Sequence, residues 1–123
     1  MLTALDHVNL RTPDLDLMID WYETHLGLKR GKRPETPITG VWLYLNDVAV
    51  VHLVLDESPL PREATSLEHF AFRATGMTAF AEKLIAAGVP FEKSEVPGTN
   101  ITQFNLTDPM GNHLHVDFRD SDS

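Results

Sequence analysis

The sequence predicts an α+β fold assembled from two copies of a βαβββ module, on three observations. "LDHVNLRTPDL" (5–15) and "LEHFAFRATGM" (67–77) align at a constant spacing of 62, matching Leu5 with Leu67, Asp6 with Glu68, His7 with His69 and Arg11 with Arg73. Each stretch runs into a helical pattern that stops at a glycine, Gly27 in "HLGL" and Gly88 in "AAGV". Near the end of each half, "VVHLV" around His52 answers "HLHVD" around His115, at a spacing of 63. Self-similarity at a fixed period marks a repeated unit. The chain, 1–123, is therefore read as a single domain of two modules, 1–56 and 66–118, joined by a proline-bearing polar linker, 57–65.

The elements follow in order. "LDHVNLR" (5–11) alternates in the manner of a strand. Thr12 is placed as the cap of the next helix, with Pro13 at its first position and Asp14 and Asp16 in its first turn. Leu15, Met18, Ile19, Tyr22 and Leu26 fall at helical spacing, and Gly27 supplies the stop. A short strand around 28–33 and the loop "RPETPITG" lead to the strands "VWLYLN" and "VAVVHLVL", with Asn46 and Asp47 at a tight hairpin. In the second module "LEHFAFR" (67–73) is a strand, and 77–87 is a helix burying Met77, Phe80, Leu84 and Ile85. The strands "VPFEKSEV", "NITQFNL" and "NHLHVDF" complete it, with "DPMG" turning the last hairpin.

Period-two alternation then sorts the side chains. Val8 and Leu10 can pack beneath a helix, leaving His7, Asn9 and Arg11 on the opposite face; Phe70 and Phe72 leave His69 and Arg73 there. Val51 and Leu53 flank His52, as Leu114 and Val116 flank His115. Four repeat-related histidines thus share the face away from the helices. Curled sheets would converge them, and neutral imidazole is a ligand for zinc, iron, nickel and copper. Burying four imidazoles with no shared partner would cost about 1–3 kcal/mol each.

Other polar groups allow two readings. His113 shares the face of His115 but has no repeat partner, which suits a supporting or rim position. Asp117 either orients a ligating imidazole or lies solvated near the chain end. Arg11 and Arg73 clamp an anionic substrate or pair with acids at strand ends. Trp42 and Tyr44, and likewise Gln103 and Asn105, share strand faces; turned into one concavity, they give a small-molecule pocket an aromatic wall and amide donors. Trp42 fits the core equally well. His25, in the last helical turn, suits the helix dipole.

Composition bounds the function. Hydrophobic residues make up 42% and charged residues 23%, an ordinary globular balance with no apolar run able to span a bilayer. Eighteen acidic against ten basic residues give a net charge of −8, which disfavours nucleic acid. With no cysteine, a metal must rest on His, Asp or Glu. The start "MLTALDHV" lacks signal-peptide character, and a cytoplasmic location is expected.

These residues resemble the vicinal oxygen chelate superfamily: glyoxalase I, extradiol ring-cleavage dioxygenases, fosfomycin-resistance thiol transferases and bleomycin-binding proteins. The likeness covers nearly the whole chain and rests on "LDHVNLRTPDLDLMIDWYETHLGL", "LEHFAFRAT" and "NLTDPMGNHLHVDF". "GVWLYLNDVAVVHLV" looks like a bacterial branch of glyoxalase-like proteins. The resemblance implies a curled mixed-sheet half-barrel with helices on its convex side. It implies a divalent metal (Fe, Zn, Ni, Mn or Co) held by His7, His52, His69 and His115. It also implies a small oxygen-bearing substrate that chelates the metal, and a homodimer whose sites take His7 and His52 from one subunit and His69 and His115 from the other.

Two positions depart from the family pattern. His52 stands where glyoxalases carry a carboxylate, and His115 where nearly every metal-dependent member has glutamate. An all-imidazole set leaves the metal more Lewis acidic and removes the usual base, so His115 and Asp117 are the expected catalytic pair. Asp117, His113 or a metal-bound hydroxide is then the base. Isomerase or lyase and oxygenase chemistries are both open. The alternative is a metal-free binding protein of the bleomycin-resistance type, with the histidines lining its pocket.

Overall fold

The structure is a computed structural model of the chain and describes residues 1, 3–58 and 66–120. Residues divide into two compact units, Met1–Arg62 and Glu63–Ser123. Residues 59–65 of the expected linker lie outside the described residues, as do 121–123 of the polar tail.

Unit one runs β1 (Val8–Thr12), α1 (Leu15–Leu26), β2 (Lys29–Gly31), β3 (Gly40–Leu45) and β4 (Val48–Leu55). Unit two runs β5 (Phe70–Arg73), α2 (Met77–Ala86), β6 (Glu92–Glu95), β7 (Ile101–Thr107) and β8 (His113–Arg119). Each unit forms one mixed four-stranded sheet, ordered β1-β4-β3-β2 and β5-β8-β7-β6. First and last strands are parallel neighbours in both, setting Asn9 beside His52 and Ala71 beside His115. The βαβββ repeat read from the sequence is therefore present twice with one topology.

Helix α1 and its cap lie two residues later than expected. Asp14, not Thr12, caps it: Asp14 is extended (φ −135°, ψ 91°) and its Oδ1 accepts the Leu17 N–H at 3.0 Å. Thr12 is buried in β1, and its Oγ1 accepts the Asp14 N–H at 3.0 Å, bracing the cap. Pro13 consequently precedes the helix. Gly27, at φ 73°, closes it with its N–H on Glu23 O, and Leu28 N–H reaches Tyr22 O, a left-handed stop suited to glycine. Met18, Ile19 and Tyr22 of α1 are buried, as are Leu10, Leu43, Val51 and Leu53 of the unit-one strands.

In unit two, Leu84 of α2 is buried and the Phe80 ring meets Phe104 and Phe118, both at 5.6 Å. Ile85 was expected inside and is 69% exposed. One residue turns the helix by about 100°, so the stripe that seats Leu84 carries Ile85 away from the sheet. Asp108 holds the "DPMG" turn by accepting the N–H groups of Met110 and Asn112, both at 2.9 Å. Asn46, at φ 55°, turns the two-residue hairpin that pairs Leu45 with Val48.

Strands β1 and β5 begin three residues later than the sequence pattern indicates, at Val8 and Phe70. A register shift in β4 leaves Val50 as an extra residue beside the start of β1, and the pairing of β5 with β8 begins at Phe70 and Leu114. Asp6, His7, Glu68 and His69 therefore precede their ladders. The chain there is free of the strict up–down alternation that pairing imposes.

Gly40 opens β3 opposite Val54. A Cβ there would run into the Leu53 carbonyl oxygen and lie 2.9 Å from Arg33 Nη2. Because Leu53 is held in the ladder, Gly40→Ala is expected to cost about 1–3 kcal/mol, measured as a lower urea midpoint. Among the described residues no helix is long and apolar enough to cross a membrane.

Candidate functional site

The first unit stacks three rings. His7 lies on His52 with centroids 3.8 Å apart and planes 9° from parallel, and His52 lies on Trp42 at 4.1 Å and 15°. An open cleft of about 570 Å³ is bordered by these rings with Tyr44, Asp6 and Asp47. Trp42 and Tyr44 thus do share a concavity with the two histidines. Tyr44 is fixed by its hydroxyl donating to Lys32 O at 2.6 Å. Asn9 and Arg11 stand on exposed positions of β1, and Arg11 pairs loosely with Asp56 at 3.9 Å, the strand-end arrangement.

The second unit gathers three imidazoles. His69 stacks on His115 at 4.1 Å, and His113 lies 5.3 Å from His69 and 4.9 Å from His115, centroid to centroid. One nitrogen from each ring falls within 4.8 Å of the others. Asp117 Oδ1 is 3.9 Å from His115 Nδ1, and both atoms are buried without a hydrogen-bond partner among the described residues. Gln103 pairs with Asp117 across β7 and β8, and Asn105 with His115, so the amides border the same cluster. Arg73 sits beside Asp117 on β5.

Hydrogen bonds decide which nitrogens keep a lone pair. His7 Nδ1–H donates to Asp6 Oδ2 at 2.7 Å, and His69 Nδ1–H donates to Glu68 Oε2, leaving Nε2 of each ring as the donor atom toward a metal. His52 Nε2–H donates to Ala49 O at 3.1 Å, which leaves Nδ1. His113 differs. Its Nδ1 faces Glu68 Oε1 at 3.0 Å and its Nε2 faces Asn105 Oδ1 at 3.1 Å, both acceptors. The Asn105 orientation is fixed because its Nδ2 donates to Glu92 O and Ser94 Oγ, each at 3.2 Å. A neutral ring has one N–H and donates to only one of these acceptors at a time, so the two contacts set the position of His113 beside His69 and His115 without removing its second lone pair.

Sequence reasoning gave no role to Asp6 and Glu68, which hold the rings. Their signal was present in the repeat, where each acid directly precedes a matched histidine.

The Glyoxalase/Bleomycin resistance protein/Dioxygenase superfamily matches the chain over residues 4–116. The chain belongs to this superfamily. "Glyoxylase I 4" of Arabidopsis thaliana is 27% identical over 123 residues, covering 94% of this chain and 70% of that protein. A glyoxalase family protein from Bacillus anthracis superposes with a TM-score of 0.80 at 20% identity, covering 97% of each chain. The fosfomycin resistance protein FosX of Listeria monocytogenes does so at 0.73 and 13% identity, covering 96% of this chain and 94% of its own. At these identities the structures share the fold, the vicinal oxygen chelate fold, and one scaffold of this kind hosts several chemistries.

Whether the superfamily's metal suits this member is a question of donors. The His115 side chain is only 9% exposed and its Nδ1 has no partner, a cost that a cation would relieve. Burial, and after it the charge of a neighbouring imidazole (His7 and His69 respectively), holds His52 and His115 below the ordinary imidazole value of 6.5. Neutral imidazole is the form that ligates. The donor set fits.

Those depressed values carry a stability consequence. Between the folded and unfolded pKa the unfolded chain binds more protons, so stability rises with pH across that interval. Above about pH 6.5 both states are neutral at these rings and nothing is lost. As pH falls from 6.5 through the folded values, stability drains away. The thermal midpoint of chelator-treated protein is expected to fall across this interval, and to fall less in His115→Gln.

Proposed function

We propose that this chain is a metal-dependent enzyme acting on a small oxygen-bearing metabolite that chelates the metal through neighbouring oxygens. The observation that carries the reading is the buried, unpartnered Nδ1 of His115 stacked beside His69, whose Nε2 is free of protein partners among the described residues. In this reading the active form is a homodimer in which each site takes His7 and His52 from one subunit and His69 and His115 from its mate. A divalent cation bound by such donors acts as a Lewis acid on a substrate oxygen.

The chain's own groups supply the rest. Asp117 is the base: its Oδ1 is buried, lacks a hydrogen-bond partner among the described residues and lies 3.9 Å from His115 Nδ1. Trp42 and Tyr44 give the unit-one cleft beside His7 and His52 an aromatic wall on which a small ligand can pack. In unit two, Gln103 and Arg73 flank Asp117 from the strands on either side of β8, while Asn105 is engaged with His113.

Elemental analysis of protein purified without chelator tests the reading. Stoichiometric metal is expected, together with a thermal midpoint that drops on chelation; a site filled at 100 times its Kd stabilises by about 2.7 kcal/mol. Absence of metal and indifference to chelator would instead favour the metal-free binding protein, with the Trp42–Tyr44 cleft as its ligand site.

A further inference from the structure

We infer that Asp6 and Glu68 are a matched pair of positioning residues that lock His7 and His69 in the Nδ1–H tautomer, so that Nε2 of each ring faces the metal. The inference rests on the metal reading above and adds residues to it.

Adjacent residues of a paired strand point to opposite faces, so an acid and the histidine after it do not ordinarily touch. Here they do, twice. Asp6 Oδ2 meets His7 Nδ1 at 2.7 Å and Glu68 Oε2 meets His69 Nδ1, in both cases just ahead of the first ladder residue, Val8 or Phe70. The same contact at both copies of the repeat, built once with aspartate and once with glutamate, marks a feature of the module rather than a chance approach of neighbours.

The longer glutamate does a second task. Its other oxygen, Oε1, reaches His113 Nδ1 at 3.0 Å, 45 positions along the chain. Asn105 takes the far nitrogen of the same ring, and Ser94 and the Glu92 carbonyl secure Asn105. One carboxylate therefore fixes the tautomer of a ligand and contacts a second imidazole of the cluster. A carboxylate on the remote nitrogen also raises the basicity of the ligating one, and losing such a partner typically weakens metal binding 10–100-fold.

The experiment uses the whole chain and its Glu68→Ala, Glu68→Gln and Asp6→Ala variants. Imidazole ¹⁵N shifts are recorded metal-free, at a pH above the imidazole range, and Co²⁺ affinity is measured by titration. Wild type is expected to show Nδ1–H at His7 and His69. Glu68→Ala should lose that pattern at His69 alone and weaken Co²⁺ binding about 10–100-fold, with Asp6→Ala doing the same at His7. Glu68→Gln has one acceptor oxygen for two rings, so it should release either His69 or His113. These acids are exposed, and unchanged thermal midpoints would separate loss of orientation from loss of fold. An Nε2–H pattern at His69 in wild type, or variants that keep both pattern and affinity, would overturn the inference. A wild-type chain with the Nδ1–H pattern that takes up no Co²⁺ would sustain the carboxylate's hold on the ring and overturn the metal reading instead.

Discussion

Replacing His115 with alanine is expected to lower divalent-metal affinity by more than the 10–100-fold that loss of a supporting partner costs, because a ligand itself is removed. The fold should tolerate the change. His115 carries a buried nitrogen with no hydrogen bond, a liability of about 1–3 kcal/mol that the substitution abolishes along with the ring's packing. Metal-free variant and wild type are therefore expected to unfold at similar temperatures, while Co²⁺ titration followed by visible absorption separates them widely. His25→Ala, on α1 and against Trp21, serves as the control imidazole and should bind metal as wild type does. Equal affinities for His115→Ala and His25→Ala would remove His115 from the site.

Phe104→Ala is expected to cause the largest loss of stability, about 3–5 kcal/mol by chemical denaturation. Phe104 is fully buried and touches three other rings: Phe91 stacked at 5.0 Å, Phe118 at 5.3 Å and Phe80 at 5.6 Å. No single neighbour can collapse into the space it would leave. The effect should reach function as well, since Phe104 is the inward residue of β7 between Gln103 and Asn105, and Asn105 holds His113. Ile85→Ala, at an exposed position of α2, should by contrast stay within about 0.5 kcal/mol of wild type.

Much of this was legible in the chain because duplication supplies its own control. A lone histidine in an alternating strand carries little meaning; the same residue at His7 and His69, and again at His52 and His115, fixes both the topology and the polar face. What alternation could not provide was local geometry. It placed Thr12 as the helix cap, whereas a buried Thr12 braces Asp14, which does the capping. It extended β1 and β5 back to Leu5 and Leu67, yet the ladders start at Val8 and Phe70. That second difference matters most for the site, since residues treated as paired strand hide the contacts Asp6 and Glu68 make. Helical periodicity likewise could not say which of two neighbours, Leu84 or Ile85, faces the sheet. His113 needed its hydrogen-bond partners to be placed, because spacing alone gives it the same face as His115.

The most direct test of the central claim is an anomalous difference map from a crystal of the protein grown with its purified metal content. The account predicts a single strong peak bonded to His69 Nε2 and to a nitrogen of His115, at about 2.0–2.2 Å. A map with no peak at these imidazoles, their nitrogens bonded only to water, would contradict it.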